Sequence, residues 1–129
     1  MFTRSPVLLL LALVPTFCQA PGRQPFAKAL ECPGGDCPFL NGTPQTAGMR
    51  SGFVRLKPSA TVGWHTTGKH EEALIILRGQ GAVLIDSQAK RTFTGPAVAY
   101  IPPETRHNVE NTGTEALEYV YVVSPVAAQ

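Results

Sequence analysis

All three histidines of the protein, His65, His70 and His107, fall within two short stretches. These read GWHTTGKHEEALIILRG from Gly63 to Gly79 and PAVAYIPPETRHNVEN from Pro96 to Asn111. Glu71 and Glu72 stand directly beside His70. Imidazole plus carboxylate is the usual protein donor set for a divalent transition metal, and an ion held by a few such side chains keeps positions free for water or a substrate oxygen. The chemistry in view is therefore Lewis-acid or redox chemistry at a metal. No other stretch of the sequence gathers comparable groups.

Residues so far apart share an ion only if rigid elements bring them together. From Met49 onward, short apolar runs alternate with turn residues, which predicts strands at Phe53 to Leu56, Val62 to Thr66, Ala73 to Leu77, Ala82 to Ile85, Lys90 to Phe93, Ala97 to Ile101, Arg106 to Glu110 and Leu117 to Val123. The breaks recur every 8 to 12 residues or so, and no window carries a helical period, so an all-β sandwich or barrel is expected. Side chains alternate along a strand. His65 then shares a face with Thr67, and His70 with Glu72, and a hairpin through Gly68-Lys69 would join the two pairs. His107 follows the stiff Pro102-Pro103 turn. A closed barrel brings inward positions of separate strands to a common axis. Glu72 is the better inward carboxylate, because a buried acid needs a metal or a cation beside it. The competing reading makes His65 and His107 neutral core histidines satisfied by neighbours, and His70 a solvated turn residue after Lys69.

The rest of the chain sets limits. Its 129 residues allow one domain, and 43% hydrophobic against 16% charged residues suits a packed core. The formal charge of +2 comes from scattered lysines and arginines, which argues against a nucleic-acid partner. Residues 1–20 read as an export signal: Arg4 supplies the positive start, Val7 to Val14 the apolar stretch, and Cys18-Gln19-Ala20 small residues at the cleavage positions. The apolar run is well short of the roughly 20 residues a permanent membrane span requires. A lipid on Cys18 is disfavoured by the bulky Phe17, and a disordered apolar tail is the plain alternative. Residues 21–48 form an arm rich in proline, glycine and polar residues, expected to be irregular rather than helix or strand. Cys32 and Cys37 lie in it, and export favours a disulfide between them over a metal clip or two free thiols. The barrel domain is residues 49–129.

The two histidine stretches resemble the paired motifs of the cupins. In the first, His65, Glu72 and Gly79 take the family's places; in the second, Pro102, His107 and Asn111 match in identity and spacing. The resemblance covers residues 50 to 124 and implies a small double-stranded β-helix, a jelly-roll-like barrel, with His65, Glu72 and His107 as ligands of iron, manganese, nickel or zinc. The second histidine of the first motif falls on Thr67, and His70, two residues before Glu72, is the candidate to make good that ligand. The glycine within the second motif is replaced by Glu104.

Two functions follow from the resemblance. One is a metal-dependent enzyme of the dioxygenase, isomerase or lyase kind acting on a small organic molecule. The other is a module that binds a sugar or organic acid without turnover, with weak metal or none. Thr67, Tyr100 and Arg106, with Trp64, are the groups available to line the pocket. The resemblance also implies a homodimer, and Leu117 to Val123 is apolar enough on both faces to be covered. An exported protein, periplasmic or secreted, is the expected setting.

Overall fold

A computed structural model describes residues 23–127; the expected export segment, 1–20, lies outside them. Eight strands follow one another with no helix between: β1 (Asp36–Asn41), β2 (Arg50–Leu56), β3 (His70–Arg78), β4 (Gln80–Ile85), β5 (Arg91–Thr94), β6 (Ala97–Ile101), β7 (His107–Asn111) and β8 (Leu117–Pro125). A five-stranded sheet runs β1-β2-β8-β3-β6 and a three-stranded sheet runs β5-β4-β7. All pairings are antiparallel.

The period of two decides what each strand buries. Along β3, Glu72, Leu74 and Ile76 turn inward; along β8, Leu117, Tyr119 and Val123 do the same. Leu74, Ile76, Leu117 and Tyr119 form one core between the sheets with Leu56 of β2, Ile101 of β6, Val83 of β4 and Val109 of β7. Burying a side chain of this size stabilises by roughly 1.5–3 kcal/mol. The β3–β4 turn depends on Gly79, whose φ is 95° and whose missing Cβ would lie 2.7 Å from the Ala116 carbonyl oxygen. Only glycine fits there.

Two segments differ from the sequence-based expectation. The arm is not irregular throughout: Asp36–Asn41 forms β1 and pairs with β2, Cys37 opposite Phe53. Cys32 and Cys37 are joined in a disulfide, and Cys32, Phe39 and Phe53 pack together with Val120 on the side of β2 and β8 away from the core. That cover is the physical reason the segment takes a strand in spite of its prolines and glycines. The second difference is Val62 to Thr66, which is no continuous strand. It runs beside β7 through single bridges, Thr61 to Glu110 and His65 to His107. Gly63, at φ 102°, interrupts it, and its N–H is taken by the Asn108 side chain at 2.8 Å. His65 therefore reaches the site from beside β7, not from a hairpin with β3. Among the described residues no helix is long and apolar enough to cross a membrane.

Candidate metal centre

Three separate pieces of chain deliver the site. His65 comes from the β2–β3 connection, Glu72 from the inward face of β3 and His107 from the first position of β7. His65 and His107 are directly opposed, exchanging two backbone hydrogen bonds of 2.9 Å, and their rings lie 4.3 Å apart between centroids. One ligating atom from each of His65, Glu72 and His107 falls within 4.8 Å of the others, so this group could hold a metal ion.

The hydrogen bonds around the rings fix which atoms face inward. His65 Nδ1 is 2.8 Å from the Gly63 carbonyl and His107 Nδ1 is 2.9 Å from the Thr105 carbonyl. A backbone carbonyl can only accept, so each Nδ1 carries the proton and each Nε2 presents its lone pair, the usual device for orienting a ligating histidine. His107 is 0% exposed and Glu72 is 5% exposed. His107 Nε2 and Glu72 Oε2 lie 3.2 Å apart, yet neither makes a hydrogen bond. Two buried, unsatisfied polar atoms aimed at one point are costly as they stand. A cation between them removes that cost, so the residues present fit a divalent metal. Burial disfavours charge on His107, but the Glu72 carboxylate and the Thr105 carbonyl outweigh it and hold its pKa above the ordinary value.

A cavity of about 300 Å³ opens beside the group. His65, Glu72, Thr67, Tyr119, Tyr121 and Arg50 contribute to its wall, and most of the remainder is valine. Burial, with the Glu72 charge nearby, pushes the Tyr119 hydroxyl well above its usual pKa, so it stays a donor.

Not every expected residue arrives there. His70 opens β3 but lies outside the ligating group: its Nδ1 sits 3.1 Å from the Thr67 carbonyl, and the Thr67 hydroxyl donates to the His70 carbonyl at 3.0 Å. The ring is thus engaged with the turn before β3, where strand alternation does not govern it. Thr67 lines the cavity, while Tyr100 and Arg106 do not. Tyr100 stands on the outer face, 60% exposed and bonded to Glu71 at 3.2 Å. Arg106 lies over the Trp64 ring, 5.0 Å from its centroid, and 3.8 Å from Asp86. Asn111 acts as a clamp: its side-chain N–H group donates to the Leu56 and Glu115 carbonyls at 3.0 and 2.8 Å, and its oxygen accepts from Gly113 N–H at 2.9 Å. Arg50 escaped the sequence reading. Its signal was the alternation Arg50, Gly52, Val54, Leu56, which puts it on the cavity side of β2, at the exposed end of the strand.

Residues 52–123 match the cupin domain family, and the chain belongs to that family. No curated protein matches it. Among solved structures it is similar to a cupin-like protein from Thermotoga maritima, with TM-score 0.65 and 21% identity over 70% of this chain and 68% of that one. A cupin domain from Schizosaccharomyces pombe aligns with TM-score 0.63 and 16% identity over 70% and 64% of the two chains. A second Thermotoga maritima protein, described as a predicted oxalate decarboxylase, gives TM-score 0.55 and 19% identity over 70% and 92%. At these identities the likeness shows the fold alone. The chain spans slightly less than two thirds of the yeast domain, and 65% of a Bacillus halodurans protein that it also resembles.

Proposed function

We propose that this chain is an exported cupin that binds one divalent transition metal through His65, Glu72 and His107 and takes a small organic molecule into the cavity beside them. The observation that carries this reading is the buried pair His107 Nε2 and Glu72 Oε2, both without a hydrogen bond and both facing the point that His65 also faces. When bound, the ion supplies Lewis-acid polarisation of a ligand oxygen. The chain's own residues do the positioning. Gly63 and Thr105 hold the two tautomers, Tyr119 offers a hydroxyl donor, and valines 54, 62, 109 and 123 keep the wall apolar.

Apart from the proposed ligands His65 and Glu72, the cavity wall carries only hydroxyl side chains, the Arg50 guanidinium and valines. Chemistry here would be centred on the metal, and the same observation favours, as a second reading, binding without turnover. Pairing of Cys32 with Cys37 supports export. Exposed Ile75, Leu77 and Val98 on the outer face of β3 and β6 support a homodimer. Elemental analysis of the purified protein tests the metal reading: about one transition metal per chain is expected, with sharp loss in His107→Ala. Full occupancy in that variant would sink the assignment. N-terminal sequencing of the exported product should begin near residue 21, and a dimer in sedimentation should become a monomer in Val98→Glu.

A further inference from the structure

Arg50 lies in the same cross-strand row as Glu72. Val123 of β8 pairs with Arg50 of β2 on one side and with Glu72 of β3 on the other. Two strand spacings put the backbones of Arg50 and Glu72 ~10 Å apart, and both side chains contribute to the wall of one cavity. The other cations with carboxylate partners are Arg55 and Arg78 on Glu118, Lys90 on Glu110 and Arg106 on Asp86. Among the described residues Arg50, like Lys57, Lys69 and Arg91, has no acidic partner, and of these four it is the one that lines the cavity. Burial, and then the Glu72 and Asp36 charges, hold the Tyr119 and Tyr121 hydroxyls above their usual pKa, while the Arg50 charge pulls Tyr121 the other way, so both tyrosines stay donors. Thr66 and Thr67 add hydroxyls, and the valines offer no acceptor.

Charge completes the argument. A divalent ion on one carboxylate and two neutral imidazoles leaves one positive charge uncompensated, and Arg50 places a second at the far end of the row. Resting on the metal centre proposed above, we infer that the cavity is a site for a short dicarboxylate, one carboxylate at the metal and the other on the Arg50 guanidinium. A guanidinium binds a carboxylate through two parallel N–H bonds, which a neutral ligand cannot use equally well. The volume of about 300 Å³ equals that of roughly ten waters, room for a ligand of about ten non-hydrogen atoms.

Calorimetric titration of the metal-loaded protein with succinate, propionate and succinamide tests this. Succinate should bind more tightly than either of the others. Arg50→Gln should weaken succinate by about tenfold or more while leaving propionate unchanged, and Arg50→Lys should fall between. Equal affinity for succinate in wild type and Arg50→Gln, or succinamide binding as tightly as succinate, overturns the inference. Metal content measured on the same samples separates the two claims. A wild-type protein without metal overturns the metal centre, whereas a metal-loaded Arg50→Gln protein with wild-type succinate affinity overturns the dicarboxylate site alone.

Discussion

Asn111 occupies a motif position at the end of β7, the strand that carries the proposed ligand His107, yet its geometry assigns it to stability. Its side chain is 4% exposed and makes three hydrogen bonds, two donated to Leu56 and Glu115 carbonyls and one accepted from Gly113 N–H. Together they tie the end of β2 and the β7–β8 turn to the end of β7. Asn111→Ala removes all three and leaves backbone groups without partners. A net loss near 1 kcal/mol per bond, with a larger loss for each group left dry, gives about 3–4 kcal/mol. A domain this size has ~5–15 kcal/mol in hand, so the variant should fold and unfold at clearly lower urea. The slope of the transition should be unchanged, since the same surface is exposed. Asn111→Asp should do no better, because it loses both donors and sets a carboxylate against two carbonyls. The assay is urea unfolding of chelator-treated protein, with metal uptake of the folded variant measured alongside. A change below ~0.5 kcal/mol, the low end for a single neutral hydrogen bond, would refute the clamp, as would lost metal uptake at unchanged stability.

Two further predictions follow from the backbone and the outer face. Glu104 adopts φ 58° where the second cupin motif has glycine. A left-handed conformation costs a non-glycine residue ~1–2 kcal/mol, partly offset by glycine's extra freedom when unfolded, so Glu104→Gly should stabilise by about 1 kcal/mol or less. A destabilised variant in thermal unfolding would contradict this. Glu118 takes Arg55 at 2.6 Å and Arg78 at 2.8 Å. Burial pushes its pKa up, but the two guanidinium groups outweigh that and hold it below the ordinary value. A carboxyl with a depressed folded pKa adds stability above its unfolded pKa and loses it as pH falls through the folded one. Glu118→Gln should therefore cost ~1 kcal/mol or less at pH 7, given two exposed arginines, and nothing once the pH is well below ~4. An equal cost at both pH values in urea unfolding would refute it.

Much of the fold was legible because short apolar runs between turn residues are a direct consequence of burying one face of a strand. Strands β2 to β8 could be placed from that alone, but not which face of β3 is buried, since residues 74–77 are all apolar and only Leu74 and Ile76 enter the core. His65, Glu72 and His107 were found by residue type and motif spacing, and they do converge. Alternation failed at His70, because the ring follows the hydrogen bonds of the Thr67–His70 turn and not the strand that begins there. β1 was hidden in a stretch of proline and glycine, since what holds it is packing of Phe39 and the disulfide on Phe53, a contact between distant segments. Tyr100 and Arg106 are polar residues near the motifs in sequence that point elsewhere, and Arg50 is far in sequence but lies in the same cross-strand row as Glu72. Proximity along the chain said little about which groups line the cavity.

The most direct test of the central claim is anomalous scattering from crystals of the metal-loaded protein. One peak is predicted, within ~2.0–2.3 Å of His65 Nε2, His107 Nε2 and a Glu72 carboxylate oxygen. A peak at His70 or on the surface with none at this group, or no peak at all, would contradict the account.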